Sequence, residues 1–145
     1  MKCAILYFEP YFPVATGRGN IKMGRIIAIA NQKGGVGKTT TAINLSACLA
    51  ESGQKVLTVD FDPQGNATSG LGIEKGEIDK TVYDLLVGEC DIEECLISNM
   101  QENLDLLPSN VDLAGAEIEL LEIENKEALL KTYLSKIQNN YDFII

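Results

Sequence analysis

Residues 31–41 read NQKGGVGKTTT, with lysines at 33 and 38 on either side of a glycine-rich core. Before it stands RIIAIA, residues 25–30, a continuous apolar run of the kind that forms a strand covered on both faces in a parallel sheet. After it, TTTAINLSACLAES carries Ala42, Ile43, Ala47, Leu49 and Ala50 in a helical pattern, and Gly53 sits where a helix commonly stops. KVLTVD, 55–60, is a second buried strand. Strand, loop, helix and strand within about 35 residues make a βαβ unit, whose crossover is expected to be right-handed.

In that context GGVGKTT is a phosphate-binding loop. Gly34, Gly35 and Gly37, with Val36 among them, let backbone N–H groups turn inward around phosphate oxygens. The helix starting near Lys38 adds its positive end, roughly half a charge. Lys38 would reach the β and γ phosphates, the Thr39 hydroxyl would ligate Mg2+, and Thr40 would bond a phosphate nearer the nucleoside. The general form G-x-x-x-x-G-K-[ST] needs glycine at position 32, where this chain has Gln32. The competing reading, a glycine-rich turn with an incidental lysine, is disfavoured by the strand before, the helix after and both threonines.

Downstream, FDPQGNATSGLG at 61–72 is a turn-rich loop following the second strand. It places Asp60 and Asp62 two residues apart, so both could face Mg2+ and its waters. The structural alternative is an Asp-Pro turn with Asn66 as a helix cap. A short helix is expected near 81–88 and a third strand at NLDLLPS, 103–109. Two helical segments follow, with Leu130, Tyr133, Leu134 and Ile137 on one face of the second, and YDFII opens a fourth buried strand.

Composition sets the limits. The 145 residues are 46% apolar and 23% charged, about one globular domain. No apolar run reaches membrane-spanning length, and Glu9, Pro10 and Pro13 break up the opening stretch, which argues against a signal peptide. Without histidine, no imidazole-based triad is available. Cys3, Cys48, Cys90 and Cys95 show no metal-like spacing and read as reduced thiols of a cytosolic protein. The net charge of −9 divides into +3 over residues 1–70 and −12 over 71–145, a solvated acidic face that argues against this chain itself holding nucleic acid by its phosphates.

The loop K-G-G-V-G-K-T-T resembles the deviant Walker A loop of the ParA/MinD superfamily of P-loop ATPases. D-x-D-P-Q-G-N-A-T-S-G-L-G, NLDLLPSN, LAGAEIEL and YDFII resemble its ParA/Soj partition branch, from about Gly24 to Ile145. The division-site and nitrogenase branches fit less well. The resemblance implies an α/β fold, a P-loop NTPase-type parallel sheet flanked by helices, truncated after the start of the Walker B strand. It implies ATP and Mg2+ as cofactors, with nucleotide bound by residues 33–40. Lys33 would reach across an ATP-dependent homodimer to the opposite subunit's phosphates, as an arginine finger does in trans; the bland reading is a solvated lysine. Asp62 would position or activate the attacking water, and Asp60 would support Mg2+ through water.

The same resemblance implies DNA segregation in the cytoplasm, on the nucleoid. A ParB-like centromere-binding protein would be the partner, and nonspecific DNA would be gripped by a part of the full-length protein that these residues lack. A truncated, catalytically inactive nucleotide-binding or interaction module is the alternative. Residues 23–145 are expected to be the N-terminal part of the ATPase domain. Residues 1–22 would be an extension from an upstream start, or an aromatic arm in which Tyr7, Phe8, Tyr11 and Phe12 cover apolar surface. Without later strands, one edge of the P-loop strand is expected to be open, an aggregation risk.

Overall fold

The computed structural model describes residues 4–8, 24–120 and 128–145. Six strands form one sheet: β1 (Ala4–Phe8), β2 (Arg25–Ala30), β3 (Val56–Val59), β4 (Ile97–Gln101), β5 (Leu104–Leu107) and β6 (Phe143–Ile144). Their spatial order is β1-β2-β6-β3-β5-β4. The four inner strands run parallel, and β1 and β4 lie antiparallel at the edges. The helices are α1 (Lys38–Glu51), α2 (Asn66–Gly70), α3 (Val82–Val87), α4 (Ile92–Cys95), α5 (Leu113–Glu119) and α6 (Leu129–Ile137). This is the expected P-loop NTPase-type architecture. Among the described residues, no helix is long and apolar enough to cross a membrane.

The continuous apolar runs follow from packing on both sheet faces, nearly complete at β3 and β5 and partial at β2, since successive strand residues point opposite ways. Leu57, Leu107 and Ile144 enter one layer with Leu85, Ile92, Leu113, Leu134 and Ile137 from α3 to α6. Val56, Leu104 and Ile145 enter the other with Ala50 of α1. Ile26 packs on the first layer, while Ile27 and Ile29 pack on the second. Each fully buried leucine contributes about 1.5–3 kcal/mol.

α1 stops where the sequence predicts. Gly53 takes φ 83°, its amide donates to the Ala50 carbonyl at 2.9 Å, and the Gln54 amide donates to Leu49 at 3.1 Å. That is a Schellman ending, which needs a residue tolerant of the left-handed region. The shared face of the last helix also holds: Leu134 and Ile137 are buried, and Leu130 and Tyr133 pack against the same core.

Two features differ from expectation. β4 forms a hairpin with β5 that the apolar pattern does not announce, because ISNMQ is a partly exposed edge strand. Asn99 (φ 59°) and Asn103 (φ 65°) supply its left-handed positions, which asparagine tolerates. The outer edge of β2 is not open. β1 pairs along it from Ala4 opposite Ala30 to Phe8 opposite Ile26. Tyr7 and Phe8 of the aromatic stretch lie in this strand, and Tyr11 and Phe12 lie outside the described residues.

Gly24 leads into β2 against the segment that leads into β6. Its amide donates to Gln138 at 3.2 Å, and a Cβ built on it would stand 2.5 Å from the Tyr141 carbonyl oxygen and 2.6 Å from that of Gln138. Both obstacles are backbone, which cannot rotate away as a side chain can. Gly24→Ala is therefore expected to lower stability by about 1–3 kcal/mol in urea unfolding. An unchanged midpoint would contradict this packing.

Candidate functional site

β2 ends at Ala30 and α1 starts at Lys38, so residues 31–37 turn at the C-terminal edge of the parallel strands, where open α/β sheets bind ligands. Gly35 (φ 68°) and Gly37 (φ 87°) hold left-handed conformations that L side chains rarely adopt. A Cβ at Gly34, Gly35 or Gly37 would meet no atom within 4 Å, so these positions face open space. Gly37 caps α1 without a side chain, and the first turn carries no acidic residue. The Thr41 amide makes the first helical bond, to Gly37 at 2.8 Å. The amides of Lys38, Thr39 and Thr40 precede it at the positive end of a 14-residue helix. Such an end attracts an anion.

Lys33 is exposed, with its amide donating to Asn31 Oδ1 at 2.9 Å. Val36, Lys38 and Thr39 are half-buried and Thr40 is exposed. Facing them is the loop that leaves β3. Asp60 is only 3% exposed, and the Thr68 amide and hydroxyl each donate to its Oδ2 at 2.8 Å. The Asp62 amide donates to Asp60 Oδ1 at 3.2 Å. Asp62 in turn accepts the Gln64 amide on Oδ1 at 2.9 Å and the Gly65 amide on its carbonyl at 2.8 Å. Asp60 thus organises the loop and Asp62 rides on it.

Thr68 escaped the sequence reading. Its hydroxyl also accepts the Ser109 amide at 3.1 Å, tying the loop to the end of β5. Nothing in NATSG singles out that threonine. The capping alternative for Asn66 is corrected: Gly65 (φ 57°) is the cap, and Asn66 is the first helical residue, donating to Gln64 Oε1 at 3.0 Å. Gly70 sits so close to the Ile43 side chain that a Cβ would collide with it, which holds α2 against α1.

Lys38, Thr39, Asp60 and Asp62 line one cleft of about 510 Å3, whereas Lys33, Gly34, Gly35, Val36, Gly37 and Thr40 do not line it. The cleft continues between β2 and β3 past Ile145, over Ile27 and Ile29, so only its mouth has phosphate chemistry. Among the described residues, no three His, Cys, Asp or Glu side chains cluster to hold a metal. A cation at the mouth would depend on Thr39, phosphate oxygens and water, the usual arrangement for Mg2+ with a nucleotide.

A strand, a glycine-turned loop, an uncapped helix start ending in GKT and an acidic loop across the cleft define a P-loop α/β protein. The AAA domain family model matches residues 24–145. The sporulation initiation inhibitor protein Soj of Bacillus subtilis is 57% identical over 123 residues, covering 85% of this chain and 49% of that protein. The chromosome-partitioning ATPase Soj of Treponema pallidum is 50% identical over 123 residues, covering 85% and 47%. The crystal structure of cobyrinic acid a,c-diamide synthase from Mycobacterium smegmatis with bound ADP and magnesium superposes with a TM-score of 0.81 at 43% identity, covering 85% of this chain and 50% of that one. The chain belongs to the AAA domain family, among its ParA/Soj-type P-loop ATPases. It spans about half the length of the curated relatives it matches.

Thr68→Val keeps the shape and removes the hydroxyl that serves both Asp60 and the Ser109 amide. Because the bond to a buried carboxylate is lost, unfolding stability should fall by about 1.5–3 kcal/mol. A loss below about 0.5 kcal/mol, the range of ordinary surface changes, would show that Asp60 is held by other contacts.

Proposed function

We propose that the chain binds Mg2+-ATP at the mouth of this cleft and forms the nucleotide-binding part of an ATPase that segregates chromosomal or plasmid DNA. The supporting observation is the meeting of Lys38, Thr39, Asp60 and Asp62 on one cleft beside an uncapped helix start. In this reading the backbone from Gly34 to Thr40 receives the polyphosphate and Lys38 offsets the β and γ charge. Thr39 and, through water, Asp60 hold Mg2+, which when bound neutralises charge building on the phosphoryl oxygens. Asp62 orients the attacking water.

Lys33, exposed at the lip of the loop, serves the opposite subunit of an ATP-dependent homodimer. A cation delivered in trans is worth about 10³–10⁵ in rate. A ParB-like centromere-binding protein and nonspecific DNA are partners of the full-length protein in the cytoplasm, on the nucleoid. The −12 balance of residues 71–145 fits a segment that does not itself grip DNA. A second reading, in which the chain binds nucleotide without turning it over, takes its support from Asp60, whose two oxygens are already engaged by Thr68 and the Asp62 amide. Mg2+-dependent single-turnover hydrolysis by this chain would exclude that second reading.

ATP titration of the wild type and Lys38→Ala tests the site. The variant should bind at least about tenfold more weakly, the loss of some 1.4 kcal/mol, and equal affinity would remove the loop assignment. Lys33→Ala should bind ATP as the wild type does yet fail to dimerise on it, read by analytical ultracentrifugation with and without nucleotide. A variant that dimerises normally would contradict the trans role.

A further inference from the structure

Cys90 and Cys95 bracket the first turn of α4. Asp91 is the N-cap, its amide donates to the Glu94 carboxylate at 2.8 Å, and the Glu94 amide donates back to the Asp91 carbonyl at 3.1 Å. In such a closed turn, the residue before the cap and the fourth helical residue face each other, and two apolar side chains ordinarily meet there. Here both positions are cysteine. Their sulfurs stand 2.7 Å apart, side by side across the turn. Cys95 is 1% exposed and packs in the core with Ile92, its thiol donating to the Asp91 carbonyl at 3.5 Å. Cys90 is only half-buried, so it is the sulfur an incoming molecule meets first. Burial, then the Cys90 sulfur, holds the Cys95 thiol well above its usual range, consistent with that order.

We propose that Cys90 and Cys95 form a reversible dithiol–disulfide site that reacts with low-molecular-weight disulfides such as glutathione disulfide. The Cys90 thiolate attacks one sulfur of glutathione disulfide and expels a glutathione thiolate. Cys95 then loses its proton to solvent, attacks Cys90 Sγ, and forms the internal S–S bond as the second glutathione thiolate leaves. Two protein thiols are oxidised and one disulfide is reduced to two thiols. The capping turn supplies the alignment, so the bond closes without moving either end of α4.

The test incubates the 145-residue chain in glutathione buffers of stepped oxidised-to-reduced ratio, followed by alkylation, trypsin and mass spectrometry. No lysine or arginine separates the two cysteines, so both fall in one tryptic peptide, 81–126. The expected result is paired loss of alkylation at Cys90 and Cys95, by at least about tenfold at the most oxidising ratio, with the peptide lighter by two hydrogens and restored by dithiothreitol. Cys48, exposed and without such a partner, should remain alkylatable or carry glutathione alone. Cys90→Ser should form no linked species. Cys95→Ala, which leaves the accessible sulfur in place, should accumulate glutathione on Cys90 with no internal link, while an unchanged circular dichroism spectrum shows that the chain is still folded. A wild type in which Cys90 gathers glutathione without closing onto Cys95, or in which both thiols stay alkylatable throughout, overturns the proposal.

Discussion

The two loops face each other because β6 pairs with both β2 and β3. Ile144 lies opposite Ile26 on one side and Leu57 on the other, and the Val59 amide donates to the Ile145 carbonyl at 2.7 Å. One strand between two others sets their separation at about 9.5 Å, twice the interstrand spacing. The turn that leaves β2 and the turn that leaves β3 therefore open onto one cleft. Gly24, pressed against the Gln138 and Tyr141 carbonyls, fixes where β2 enters beside β6. The position of the loop is thus decided far along the chain from the loop itself.

On that frame the chemistry divides between two kinds of group. The β2 turn offers donors and positive charge: backbone amides left over at a helix start, with Lys38 and Thr39 beside them. The β3 turn offers carboxylates, but unequally. Asp60 has both oxygens engaged by Thr68 and the Asp62 amide, whereas Asp62 is partly exposed and held by Gln64 and Gly65. A buried carboxylate with both oxygens engaged suits positioning. A half-exposed one on a fixed turn suits contact with water or substrate.

Much of this was legible in the residues. KVLTVD and LDLL announce strands because apolar neighbours cover both sheet faces, and RIIAIA reads the same way although its residues are half-buried or exposed. Gly53 and the GKT sequence mark the two ends of α1 for stereochemical reasons that hold locally. The edge strand β4 was not legible, since half-exposed strands carry mixed side chains, Asn99 interrupts it and Asn103 turns the chain into β5. Nor was Thr68, whose importance comes from folding back eight residues onto Asp60. The cysteine pair shows the same limit: five residues apart means little until the capping turn brings the sulfurs together.

The central claim is that the amides from Gly35 to Thr39 form the cup for a polyphosphate. Backbone amide NMR of the isotope-labelled chain, titrated with Mg2+-ADP, tests it most directly. Saturable shifts at Gly35, Gly37, Lys38 and Thr39, with Leu104–Leu107 in β5 unmoved, are the expected result. Amides in the loop that stay fixed while nucleotide shifts other parts of the chain, or no saturable shift anywhere, would contradict the account.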